Sequence, residues 1–190
     1  MPIIRCHLVA VGAVWPVVSS AAEPSITRTG HASIEVGPTS KEPVLLSLED
    51  SVERVIGSYK AAVLAKNVDT FMHLYDPKVR VFDTWGTWSY EGADAWRIAV
   101  EGWLSSLGTE KVQVAFDEVH IAGNLDFALV TAQVSFTAVS AQGETLRSMQ
   151  NRLSWALRTT GHILRIVHEH SSAPIGFEDM KAILQRKPQA

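Results

Sequence analysis

The sequence predicts an α+β fold with its helices first and an antiparallel sheet after them. Between residues 47 and 107 apolar side chains recur every three or four positions, the period of helices that bury one face. From residue 111 onward the period is two, over long stretches separated by turn residues. Strands gathered after the helices, with no glycine-rich phosphate loop between strand and helix, argue against a doubly wound parallel sheet.

The first helix is expected from Ser47 to about Lys66. Ser47 followed by Asp50 supplies N-cap chemistry, and Val52, Val55, Ile56, Tyr59, Ala62 and Val63 form the apolar stripe. A second short helix is expected over Val68–Tyr75, ending at Asp76-Pro77 because the residue before proline resists the helical conformation. Val79–Asp83 reads as a short strand and Thr84–Ser89 as a tryptophan-bearing loop. Trp96, Val100, Trp103, Leu104 and Leu107 give the segment Gly92–Leu107 a helical period. Strands are then expected over Lys111–Ala122, Phe127–Ser140, Thr145–Arg158 and Ile163–Ser171, with turns at Gly123-Asn124, Gln142-Gly143 and Gly161.

Ahead of this domain, which begins near Leu46, residues 23–45 carry Pro24, Gly30, Gly37, Pro38 and Pro43 with no lasting apolar period, the composition of a linker. Residues 1–22 place Arg5 before an uncharged run and end in Ser19-Ser20-Ala21-Ala22, the order of a secretory signal with a small-residue cleavage site. Export to the periplasm or medium follows if that segment is removed, and a cytoplasmic protein if it is not. The apolar run is too short to span a bilayer, so no membrane association is expected of the mature chain. A formal charge of −3 without a basic tract argues against phosphate-backbone binding as the main activity, and nucleic acid is not an expected partner. The one cysteine, Cys6, precedes the domain, which removes disulfides, cysteine-based zinc sites and a cysteine nucleophile from it.

The segments Ser58-Tyr59-Lys60-Ala61-Ala62, Asn67-Val68-Asp69, Leu74-Tyr75-Asp76-Pro77 and Val81-Phe82-Asp83 resemble the opening of ketosteroid isomerases and their SnoaL-like polyketide-cyclase relatives. The run from Arg165 to Pro174 is similar to the end of the calcium/calmodulin-dependent protein kinase II association domain. Both belong to the nuclear-transport-factor-like superfamily. The resemblance implies a cone-shaped α+β roll, in which a curved antiparallel sheet and three N-terminal helices enclose a cavity. It also implies a cofactor-independent isomerase, cyclase or dehydratase acting next to a carbonyl, or else a non-catalytic binding or oligomerisation module, with a homodimer expected and, for the module, a larger ring as the alternative. In the isomerase register Tyr59 takes the place of the oxyanion-hole tyrosine and Asp83 that of the proton-moving carboxylate. The acid that the isomerase carries on its penultimate strand is missing, because the matching segment reads Gln150-Asn151-Arg152-Leu153-Ser154.

Each candidate has a structural reading beside the functional one. Asp83 is either a proton shuttle whose basicity is raised by aromatic surroundings or a turn residue capping the next loop. Tyr59 is either a hydrogen-bond donor to an oxyanion or a packed tyrosine whose hydroxyl rests on a carbonyl. Trp85 and Trp103, with Trp88, Tyr90 and Trp96, suit the wall of a pocket for a small apolar or aromatic molecule, and equally a plain core. On the last strand, Leu164 and Ile166 argue for burying the face that bears His168 and His170. The family register instead turns Val167, Glu169 and Ser171 into the cavity, which makes Glu169 a substrate contact and leaves the histidines on the outer face, in an interface or supporting role. Arg152 is a candidate anion anchor, a partner for Glu169, or a surface residue. His168, His170 and Asp83 together would suit a metal, yet nothing else in the sequence supports one, and neither metal nor cofactor is expected.

Overall fold

The computed structural model describes residues 47–186. The expected signal segment and linker lie outside these residues.

Helix α1 spans Leu48–Ala65 and starts at a reciprocal capping box. The Ser47 hydroxyl accepts the Asp50 N–H at 3.0 Å, and the Asp50 carboxylate accepts the Ser47 N–H at 3.2 Å. It ends at Lys66, which takes the left-handed conformation with φ 53°. Its buried stripe, Val52, Val55, Tyr59, Ala62 and Val63, faces the sheet.

Helix α2 covers only Val68–Met72, and strand β1 runs over Tyr75–Phe82. The helix expected to reach Tyr75 therefore stops a turn early. Asp76 precedes a proline and is held extended, and the last strand captures the chain: Ile166 N–H donates to the Leu74 carbonyl at 2.8 Å, and Tyr75 pairs with Ile166. Local helical period loses here to a sheet bond that residue 74 can make only in the folded chain. A two-residue strand, β2 (Tyr90–Glu91), pairs with β1 and precedes helix α3 (Ala93–Ser106). The long strands β3 (Lys111–Gly123), β4 (Phe127–Val139), β5 (Thr145–Thr160) and β6 (Ile163–Ser172) complete one six-stranded sheet. Its order is β2-β1-β6-β5-β4-β3, antiparallel except where β1 lies parallel to β6. The architecture is the α+β roll expected, with the helices against the inner face of a curved, unclosed sheet.

Two irregularities position the site. On β6, Leu164 and Ile166 are buried, as are Glu169 and Ser171, which a strict period of two cannot deliver. A register shift resolves this: Leu157 pairs with Ile166 but Ala156 with His168, so Val167 is an extra residue that reverses the phase of the strand. The apolar neighbours and the family register, which disagree about the histidine face, each describe one side of this bulge. Val167 itself does not line the cavity, contrary to expectation, because it is the bulged residue. The second irregularity is the parallel pairing of β1 with β6, which sets Val81 beside Glu169 and Phe82 beside His170, and so brings Asp83 to Ser171.

Among the described residues no helix is long and apolar enough to cross a membrane.

Candidate functional site

A cavity of about 540 Å³ opens between the helices and the inner face of the sheet. Trp96, Val100, Trp103 and Leu107 line it from α3, Val134 and Phe136 from β4, and Trp85 and Tyr90 from the segment between β1 and α3. Polar groups reach it from four elements: Tyr59 on α1, Asp83 at the end of β1, Asn151 on β5, and Glu169 with Ser171 on β6. Leu184, in the C-terminal segment, completes one wall. That segment is held along β5 by the Gln150 N–H, which donates to the Leu184 carbonyl at 2.8 Å.

The most deeply held of these groups is Glu169, which is only 3% exposed. Its Oε2 accepts two hydrogen bonds, from the Tyr75 hydroxyl at 2.6 Å and from the Trp155 indole N–H at 2.9 Å. Trp155 stands directly opposite Glu169 in the β5–β6 ladder, so a single cross-strand pair builds the second bond. Burial pushes the Glu169 carboxyl up to about 7; the two hydrogen bonds pull it down, and the charge of Asp83 adds to the rise. Burial also drives the Tyr59 and Tyr75 phenols well above their usual range, with the Glu169 charge as the next cause for each. The Trp96 N–H favours the ionised form of Tyr75 by its proximity, although it does not reach full hydrogen-bond geometry and is otherwise without a partner.

Tyr59 lies in an aromatic cluster with Phe71, Phe116 and Trp155, at ring-centroid distances of 4.8, 5.7 and 5.4 Å. Its ring is therefore a core ring. Its hydroxyl has no hydrogen-bond partner among the described residues, and it is not one of the sealed orphan atoms, so it opens on the cavity. Asp83 combines both of its expected readings. Its Oδ2 accepts the Trp85 N–H at 3.3 Å, which is the turn-capping contact, while its Oδ1 accepts the Ser171 hydroxyl at 2.8 Å on the cavity side. Ser171 is fixed in turn by the Thr84 N–H, which donates to it at 2.8 Å.

The remaining candidates separate by face. Trp85 and Trp103 line the cavity; Trp85 is half exposed, and Trp103 packs edge-on against Phe136. Trp88 is 95% exposed and forms no wall. Arg152 is a correction. It is exposed on the outer face of β5 and does not line the cavity, because Asn151 and Leu153 on either side of it point inward. It pairs with Gln133 and Ser172 in the ladder, and the partner foreseen for it, Glu169, is taken by Trp155. His168 and His170 lie beyond the bulge on the outer face, packed edge-on against Phe82, and His168 Nδ1–H donates to the Arg80 carbonyl at 2.8 Å. They are thus parted from Asp83, and among the described residues no three histidine, cysteine, aspartate or glutamate side chains are grouped to hold a metal.

Sequence reasoning passed over three contributors. The local helical period assigns Tyr75 to a helix, whereas it opens strand β1. Trp155 carries no motif, although its alternation with Leu153 and Leu157 on β5 was available as a sign of burial. Asn151 stands in the sequence only as an absent acid, yet it is buried at the cavity wall and its Oδ1 has no hydrogen-bond partner among the described residues.

Comparison with known proteins agrees with this architecture. A family model described as a SnoaL-like domain matches residues 52–176. No curated protein matches the sequence. Among solved structures, an NTF2-like protein of unknown function from Pseudomonas putida is similar, at 21% identity and a TM-score of 0.64, over 74% of this chain and 96% of that one. A protein from Xanthomonas campestris described as a calcium/calmodulin dependent protein kinase II association domain is similar at 18% identity and a TM-score of 0.58, over 72% of this chain and 95% of that one. A cystatin-like fold protein of unknown function from Nostoc punctiforme is similar at 13% identity and a TM-score of 0.55, over 67% of this chain and 92% of that one. At these identities the likeness is one of fold.

Proposed function

This chain belongs to the SnoaL-like family, and from that premise we propose that its cavity binds a neutral, flat, largely apolar or aromatic molecule and moves a proton next to its carbonyl group without a cofactor. Asp83 is the general base and Tyr59 the donor to the carbonyl oxygen. The observation that carries this reading is that the Asp83 carboxylate, held by Ser171, and the Tyr59 hydroxyl, which has no hydrogen-bond partner among the described residues, open on the same aromatic-walled cavity. Trp85 and Trp103 hold the flat body of the molecule, and Glu169 meets its polar end. Anionic ligands are disfavoured, since two carboxyl groups face the cavity and Arg147, the cation on its wall, is already paired with Glu110 at 2.6 Å.

Asp83→Asn tests the reading. The amide oxygen can still accept the Trp85 N–H, and the amide N–H can donate to the Ser171 hydroxyl in place of the bond that hydroxyl now makes, so the fold should hold while the base is lost. Exchange of the protons α to the carbonyl of an aromatic ketone, followed by NMR in deuterium oxide, should fall at least about a hundredfold relative to wild type. Equal exchange by the two proteins, at equal thermal stability, ends the assignment.

A second reading, a binding or assembly module, draws on the kinase association-domain likeness and on the outer sheet face. There Leu129 is 45% exposed, on the same face as His168, His170 and Arg152. A homodimer through that face is compatible with either reading. Sedimentation at micromolar concentration should give a dimer, and a lone monomer peak across that range removes the interface from consideration.

A further inference from the structure

We propose that Glu169 is the acid of an acid–base pair whose base is Asp83, and that the cavity eliminates water from a neutral β-hydroxy carbonyl compound carrying a flat apolar group. This rests on the assignment of Asp83 as base and adds to it a second proton-transfer residue and a substrate class.

The geometry begins with Oε2 of Glu169. An indole N–H can only donate, so the bond from Trp155 makes Oε2 an acceptor, and the Tyr75 hydroxyl donates to the same oxygen. A neutral Glu169 therefore carries its proton on Oε1, for which no hydrogen bond exists among the described residues, and the residue lines the cavity. Asp83 is the converse. Both of its oxygens accept hydrogen bonds, from Ser171 and Trp85, so it presents a proton acceptor. Burial that pushes Glu169 up to about 7 keeps its proton available near neutrality.

Spacing fits two simultaneous transfers. Glu169 and Ser171 are successive inward residues of β6, roughly 7 Å apart along the strand, and Asp83 is bonded to Ser171. A hydrogen-bond reach of about 3 Å from each carboxyl leaves room between them for the α-carbon and the β-oxygen of one substrate. Moving a proton from one carbon to another needs one carboxyl and one oxyanion donor. A second cavity carboxyl holding a proton is the part that loss of a hydroxyl requires.

The step balances without a co-reactant. Asp83 takes the α-proton; the electron pair of the broken C–H bond forms the new carbon–carbon double bond; and the β C–O bond breaks toward oxygen, which takes the proton of Glu169 and departs as water. The Tyr59 hydroxyl carries the negative charge that builds on the carbonyl oxygen. Asp83 is left protonated and Glu169 ionised, and transfer of the proton between them through solvent in the cavity restores both.

The aldol adduct of benzaldehyde and acetone is a suitable probe, because losing water turns it into strongly absorbing benzalacetone. Two readouts on the full chain separate the roles: deuterium entry at the methylene between carbonyl and carbinol, and the rise of benzalacetone absorbance. Wild type should do both, Asp83→Asn neither. Glu169→Gln, whose amide donates a hydrogen bond but no proton, should lose elimination at least about a hundredfold and lose exchange much less, so that the ratio of elimination to exchange drops sharply. Infrared difference spectra of wild type between mildly acidic and alkaline pH should also show a protonated carboxyl band that Glu169→Gln lacks, a measurement independent of any substrate. If Glu169→Gln loses exchange and elimination equally, if wild type exchanges without eliminating, or if the infrared band is absent, Glu169 is not the acid and only the Asp83 assignment stands. A wild type that does neither overturns both.

Discussion

Replacing Glu169 by glutamine is expected to stabilise the protein above neutral pH and to leave its stability unchanged under mildly acidic conditions. The carboxyl is raised from 4.5 to about 7 in the folded chain, so between these values the folded state holds a proton that the unfolded state has released. Stability therefore falls as pH rises through this window and levels off above it, where the folded protein must bury a charge. A shift of this size corresponds to about 3 kcal/mol. Glutamine keeps an oxygen to accept the Tyr75 and Trp155 hydrogen bonds and has no charge to bury, so the variant should show none of this slope. Urea unfolding of both proteins at a series of pH values from 4 to 9 reads it directly. Parallel stability profiles for the two proteins would mean that Glu169 ionises in the folded chain much as it does in the unfolded one.

Trp155 is the other residue from which a large effect is expected. It is fully buried, touches the rings of Tyr59 and Phe116, and donates to Glu169, so Trp155→Ala removes core volume and a donor to a buried carboxyl together. The cost should be about 3–5 kcal/mol. Trp155→Phe divides the two contributions. It retains most of the ring packing and loses the N–H, so it should cost about 1–2 kcal/mol and move the Glu169 titration further upward, since the lost bond is one that pulls the carboxyl down. NMR titration with labelled glutamate would follow that shift. A Glu169 titration unmoved in Trp155→Phe would show that the indole bond does not govern the carboxyl.

The helices and the meander were legible because their signals are local. The Ser47 and Asp50 pair marks the start of α1 within four residues of sequence, and the period of the apolar stripe places Tyr59 on the sheet-facing side. The end of α2 was not legible. The bond that overrides helical period at Leu74 comes from Ile166, some ninety residues away along the chain. Arg152 failed for a related reason: a strand shows its period but not which of its two faces is inward, and in β5 the inward set is the one that holds Asn151, Leu153 and Trp155.

By itself the sequence determined the α+β class, the order of the elements, and the identity of the acidic, phenolic and aromatic groups available to a cavity, since each depends on periodicity, capping or composition within a short window. Only the tertiary structure decided which of those groups meet. The bulge at Val167 turns Glu169 and Ser171 inward and the histidines outward, the parallel pairing of β1 with β6 sets Asp83 against Ser171, and the cross-strand pairing of Trp155 with Glu169 makes a buried acid out of an ordinary glutamate. Register and burial are properties of strands brought together, and a carboxyl acquires its proton affinity from the neighbours that assembly supplies.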